Sequence, residues 1–144
     1  MPYLQPLCHN VGLFCHNISA YVLKIHRSLV SSSGPTMLEG VTWFRQSSVR
    51  IRRAGVEIHI DPWGIPEEST ADFILLTHPH YDNFSEDDIA RVRGPDTTLV
   101  APASMRKQLE DVDHLMRPGD MVHLDGIEIL AVPAYNEDKK FHPP

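Results

Sequence analysis

The stretch Phe73-Ile74-Leu75-Leu76-Thr77-His78-Pro79-His80-Tyr81-Asp82-Asn83-Phe84-Ser85 (FILLTHPHYDNFS) changes character after its fourth residue. Residues 73–76 are apolar without alternation, the pattern of a strand covered on both faces. His78, His80 and Asp82 then occupy every second position. In an extended segment alternate residues share a face, so two imidazoles and a carboxylate converge. Mixed nitrogen and oxygen donors suit zinc, manganese or iron better than calcium or magnesium. A strand end is also where a rigid sheet positions a variable, chemistry-bearing loop. The bland alternative is a polar surface loop that happens to hold two histidines. The buried strand before the loop and the capped helix expected after it weigh against that.

Working outward, Ser85-Glu86-Asp87-Asp88 reads as a helix start. Ser85 is positioned to cap, and the acids complement the positive end of the helix dipole. The helix should run to about 93, where Gly94-Pro95 stops it. Upstream, 41–45, 49–53 and 56–60 read as short strands, with Ala54-Gly55 as a turn. In 56–60 the apolar residues alternate, which points Glu57 and His59 to the other, polar face, where His59 is expected to face solvent or partner a loop. Downstream, 97–100 is a strand, 102–110 a second helix and 112–115 a short strand. Residues 121–124 and 127–132 form a hairpin around Asp125-Gly126. Strands interleaved with short helices make the chain α/β, with helices covering a sheet.

THPHYD followed by a helix resembles the His-x-His-x-Asp-His signature of the metallo-β-lactamase fold. Trp43-Phe44-Arg45-Gln46-Ser47-Ser48 and Ile58-His59-Ile60-Asp61-Pro62-Trp63 resemble the opening hairpins of its lactonase-like branch, which includes ascorbate-6-phosphate lactonase-like proteins. Val100-Ala101-Pro102, Arg117-Pro118-Gly119-Asp120, Ala131-Val132-Pro133-Ala134-Tyr135-Asn136 and Lys140-Phe141-His142-Pro143 follow in the family's order, so the likeness covers about 41–144. It implies half of an αββα sandwich, the N-terminal half, with a mixed, mostly antiparallel sheet and helices on one face. It also implies one or two metal ions, Zn2+ or else Mn2+ or Fe2+. Metal-activated water would attack an ester, lactone, phosphoester or amide of a small-molecule substrate. His78 and His80 would hold the first metal. Asp82 would bind the second metal or orient the water, which makes it the candidate catalytic residue.

Three departures from the family pattern bear on activity. Asn83 stands where the signature ends in histidine, and an amide oxygen is a weaker zinc ligand than imidazole. Gln46 replaces a histidine of the opening hairpin. The family's second αβ half, with its bridging aspartate and further histidine, has no counterpart before Pro144, and Asn136 lies where many relatives have a histidine. The chain alone is therefore expected to be inactive or nearly so, and the alternative reading is a truncated, catalytically silent relative. The face that the second half would cover offers a surface for self-association.

Composition bounds the rest. A chain of 144 residues is one domain's worth of protein, and 42% hydrophobic with 22% charged residues is ordinary for a soluble one. A net charge of −6 argues against nucleic acid. Two cysteines make no disulfide framework, and no apolar run approaches membrane-spanning length, so a cytoplasmic location with no membrane partner is expected. Residues 1–36 contain no Asp or Glu and end in the linker-like Ser31-Ser32-Ser33-Gly34-Pro35-Thr36. They read as a poorly structured extension to a domain at 37–144. The Cys8-His9 and Cys15-His16 pairs within them read as chance, and His114 and His123 as surface residues.

Overall fold

A computed structural model describes residues 39–81 and 83–134, together with the backbone of Ala20–His26. The chain order is β1 (Ala20–His26), β2 (Val41–Trp43), β3 (Val49–Arg53), β4 (Val56–Ile60), β5 (Ala71–Leu75), α1 (Glu86–Val92), β6 (Arg93–Pro102), a single 3-10 turn at Ala103–Met105, β7 (His114–Met116), β8 (Met121–Leu124) and β9 (Ile127–Ala134).

Strands β2 to β7 lie side by side in sequence order as one six-stranded sheet. The pairings β2/β3 and β3/β4 are antiparallel, whereas β4/β5, β5/β6 and β6/β7 are parallel. The two-residue hairpin turns at Ala54-Gly55 and Asp125-Gly126 each place both residues at positive φ. That is the geometry that joins tight antiparallel strands without splaying them. A second, antiparallel sheet has the order β1-β9-β8.

The central strand β5 is the pivot. Ile74 and Leu76 face one core with Ile89 and Val92 of α1, Leu99, Ala101 and Met105. Phe73 and Leu75 face the other, with Ile58, Val100, Met116 and then Ile127, Ile129 and Ala131 of β9. A register shift between Ala71 and Phe73 lets Ala71 join the helix side as well. The result is a mixed α/β stack of helix, six-stranded sheet and three-stranded sheet. β9 packs on the side of the large sheet that faces away from the helix.

Local sequence explains α1. The Ser85 side chain accepts from the Asp88 backbone N–H at 3.2 Å and donates to the Asp88 carboxylate at 2.9 Å, a reciprocal cap. Glu86, Asp87 and Asp88 occupy the first turn, as read from the sequence.

Three expectations need correction. The helix expected over 102–110 is one 3-10 turn and a following turn, because its N–H groups bond three residues back (Arg106 to Ala103, Gln108 to Met105) rather than four. Residues 20–26, expected to lack structure, pair in continuous antiparallel register with β9, from Ala20 opposite Ala134 to His26 opposite Glu128. The rest of 1–36, including both Cys-His pairs, lies outside the described residues. His59, expected to face solvent or partner a loop, is fully buried, and it is the loop contacts that it makes. Its ring stacks on Phe44 at 6.2 Å with the planes 9° apart, and Nε2 lies 2.8 Å from Glu57 and 3.3 Å from Ser69. The polar face of β4 is roofed by its neighbours, which alternation along one strand does not reveal. His123, by contrast, is exposed, and His114 is half-buried.

Candidate metal centre

Strand β5 ends at Leu75, and the Leu76 N–H bonds to the Val100 carbonyl at 2.9 Å. The next residues leave the sheet as the loop read from the sequence. His78 is buried and His80 half-buried, and their rings meet edge to face with centroids 4.6 Å apart. Asp82 and Asn136 lie outside the described residues. Among the described residues, no group of three or more His, Cys, Asp and Glu side chains is gathered at metal-binding distance.

What fixes the loop is Asp61, a residue that sequence reading treated only as the end of β4. It is fully buried at a positive φ of 43°. Its carboxylate accepts from the Thr77 N–H at 2.8 Å, the Thr77 hydroxyl at 2.5 Å and the Asn83 side-chain amide at 2.8 Å. Burial pushes its pKa up to about 6, against the opposing pull of hydrogen bonds from Thr77, Asn83 and Ser47. An apolar strand followed by Asp-Pro after a β-hairpin was the available signal. Its partners, 16 and 22 residues away, were not readable.

The Asp61–Thr77 contact settles the chemistry of His78. A threonine hydroxyl has one proton, and here Asp61 takes it. His78 Nδ1, 2.9 Å from the same oxygen, must then donate its N–H to it. The ring is thereby held in the tautomer whose Nε2 carries a lone pair, which is how metal-binding histidines are commonly oriented. Two nitrogen donors on one loop, one with its tautomer fixed, fit a zinc-like ion.

Asn83 is buried, and its amide nitrogen donates to both Asp61 and the Ser47 hydroxyl. The fourth position of the signature is therefore engaged with the protein through its nitrogen. Ser47 belongs to the β2–β3 turn, so the loop is tied to that hairpin as well.

The neighbouring segment 61–65 is equally well anchored. Trp63 N–H donates to Ser48 Oγ at 3.0 Å, and the Gly64 and Ile65 N–H groups donate to the Asp88 carboxylate at 2.9 and 3.0 Å. Asp88 is thus more than a solvated first-turn acid.

Glu57, His59 and Ser69 superficially offer an acid, a base and a hydroxyl. Both partners meet the same ring nitrogen, Nε2, so no proton can be relayed through the imidazole from serine to carboxylate. Burial acts to raise the Glu57 pKa, but hydrogen bonds from Arg52, His59 and Ser69 and the charge of Arg52 outweigh it and hold the group at about 2. Burial also lowers the pKa of His59, keeping it neutral despite Glu57. This cluster is structural.

A family profile for a beta-lactamase superfamily domain matches residues 40–144. The chain belongs to that superfamily. It is 24% identical over 110 residues to a UPF0173 metal-dependent hydrolase from Methanopyrus kandleri, covering 69% of this chain and 48% of that protein. It is 28% identical over 108 residues to another from Ligilactobacillus salivarius, covering 67% and 48%. Among solved structures it resembles a protein from Parabacteroides distasonis provisionally described as a metal-dependent hydrolase. There the TM-score is 0.61 and the identity 28%, over 69% of this chain and 47% of that one. The chain thus spans about half the length of these relatives. Among the described residues no helix is long and apolar enough to cross a membrane.

Proposed function

We propose that this superfamily member is a metal-dependent hydrolase, lactonase-like in its branch, whose His78, His80 and Asp82 hold a zinc, manganese or iron ion. The observation that carries the reading is the Asp61–Thr77–His78 chain, which presents an imidazole nitrogen in the metal-binding tautomer beside a second histidine. Such orienting chains cost stability to build, since Asp61 must be buried with its charge. A passive surface loop has no use for one.

When bound, the metal supplies Lewis acidity and activates water for attack on an ester, lactone, phosphoester or amide bond of a small molecule. The protein's own part is to orient the His78 imidazole through Thr77 and Asp61 beside His80, and Asp82 would bind the second metal or orient the water. Elemental analysis of the purified chain, with His78→Ala as the comparison, tests this together with turnover of lactone, phosphodiester and β-lactam substrates. Metal and turnover that both vanish in His78→Ala support the reading. Equal metal content in the two proteins defeats it.

A second reading is favoured by Asn83. Its amide nitrogen is committed to Asp61 and Ser47, so the loop is braced by a residue that in the signature serves as a ligand. On that reading the chain retains the superfamily scaffold and at most one weak metal site, without catalysis. Metal uptake with no turnover of any of these substrates would favour it.

A further inference from the structure

We propose that Arg45, Trp63 and Tyr81 form an oxyanion subsite at the mouth of the His78–His80 loop, one that takes a carboxylate or phosphate group of the substrate. The assignment of that anion to a substrate rests on the hydrolase reading above. The subsite itself rests on geometry.

Arg45 is seated rather than free. Its alkyl stem crosses Gly64 so closely that a Cβ there would lie 2.8 Å from Arg45 Cδ and 3.2 Å from Nε. Gly64 has a φ of +67°, so glycine serves both the turn and the seat. The guanidinium carbon lies 5.9 Å from the centre of the Trp63 ring. A guanidinium held against an aromatic face keeps its N–H donors around its edge, in the fork geometry that matches an oxyanion. Arg50 and Arg52 are paired with Glu67 and Glu57, and Arg93 donates to the Asp111 carbonyl. Among the described residues, Arg45 has no carboxylate partner within ion-pair distance.

The patch abuts the histidine loop from two sides. Tyr81 directly follows His80, and its ring meets Trp63 edge-on at 6.3 Å, with the residue 65% exposed. Ser47, two residues after Arg45, is hydrogen-bonded to Asn83 at the loop's far end. The platform is pre-formed, since Trp63, Gly64 and Ile65 are pinned through their backbone N–H groups to Ser48 and Asp88. Binding an anion there orders little that is not already ordered. With a net charge of −6 the protein as a whole does not attract anions, so an anionic substrate needs a local cation. The exposed tyrosine and the tryptophan beside that cation add apolar area, which favours organic anions over inorganic ones.

The test is calorimetric titration of the full chain with inorganic phosphate, phenyl phosphate and benzoate at fixed ionic strength, for wild type, Arg45→Gln, Arg45→Lys and Arg53→Gln. Circular dichroism checks that each variant is folded. Wild type should saturate with at least one organic anion, more tightly than with inorganic phosphate. The tighter of benzoate and phenyl phosphate identifies the carboxylate or phosphate preference. Arg45→Gln should weaken binding about tenfold or more, the scale of one lost charge-assisted hydrogen bond. Arg45→Lys should fall between, because it keeps charge but loses the fork, and Arg53→Gln, altering an exposed arginine of the β3 end, should match wild type. Absence of saturable binding in wild type, or equal weakening by Arg45→Gln and Arg53→Gln, overturns the subsite. Metal content measured on the same samples separates the two readings. Anion binding without metal uptake leaves the subsite and removes the hydrolase, and metal uptake without anion binding does the reverse.

Discussion

Asn83 donates its side-chain amide to Asp61 at 2.8 Å, and the same buried carboxylate holds Thr77 at the other end of the histidine loop. One residue at the end of β4 therefore clamps both ends of the segment that carries His78 and His80. Asn83 is thus part of the clamp.

Replacing Asn83 with alanine removes donors from both Asp61 and Ser47 and leaves a buried carboxylate short of a partner. The expected cost is about 1–3 kcal/mol, the penalty of an unsatisfied buried polar group. Asn83→Asp should be worse than alanine at neutral pH, because it sets a second carboxylate against the first. Urea unfolding of the three proteins checks the order, and an aspartate variant as stable as wild type would show that the clamp does not exist.

Thr77→Val keeps the shape of the side chain and deletes the hydroxyl that joins Asp61 to His78. The imidazole then loses the acceptor that fixes its tautomer. Metal affinity should fall roughly 10- to 100-fold, as for other orienting partners of metal-binding histidines. Competition with a chromophoric zinc chelator measures it. Unchanged affinity would mean that His78 is oriented by something else.

The sequence made the centre of this molecule legible because its signals are local. An unbroken apolar run marked β5, alternate spacing brought His78 to His80, and Ser85 announced α1. Two of the misreadings share one cause. His59 alternates like a surface residue, but its burial depends on Phe44 and Ser69, which are distant in sequence. Residues 20–26 carry no strong strand pattern, and their pairing is supplied by β9, more than a hundred residues on. Asp61 was visible as a residue but not as a clamp, for its partners come from β5's loop.

Glu57 gives a pH dependence with a definite sign. Its pKa is lowered from 4.5 to about 2 in the folded protein, so it contributes stability above 4.5 that is lost as pH falls through about 2. Glu57→Gln should therefore be less stable than wild type at neutral pH, with the gap narrowing across that window. Thermal melts of both proteins over the acid range test this. A gap that stays constant with pH would show that the carboxylate charge is not what the cluster uses.

The packing of β9 makes the last prediction the most discriminating for the fold. Ile129 is 1% exposed and faces the core shared with Phe73 and Leu75, whereas its neighbour Leu130 is only half-buried and lies on the opposite face. If β9 covers the large sheet as a true inner layer, Ile129→Ala should cost about 2–5 kcal/mol, the range for a buried large-to-small change. Leu130→Ala should cost clearly less, since it removes less buried area and opens no enclosed cavity. Because adjacent strand residues point to opposite faces, a slip of one residue in the register would reverse the two effects. Equilibrium unfolding of the pair thus reads the register of β9 directly, and a larger loss at Leu130 than at Ile129 would overturn the layer arrangement.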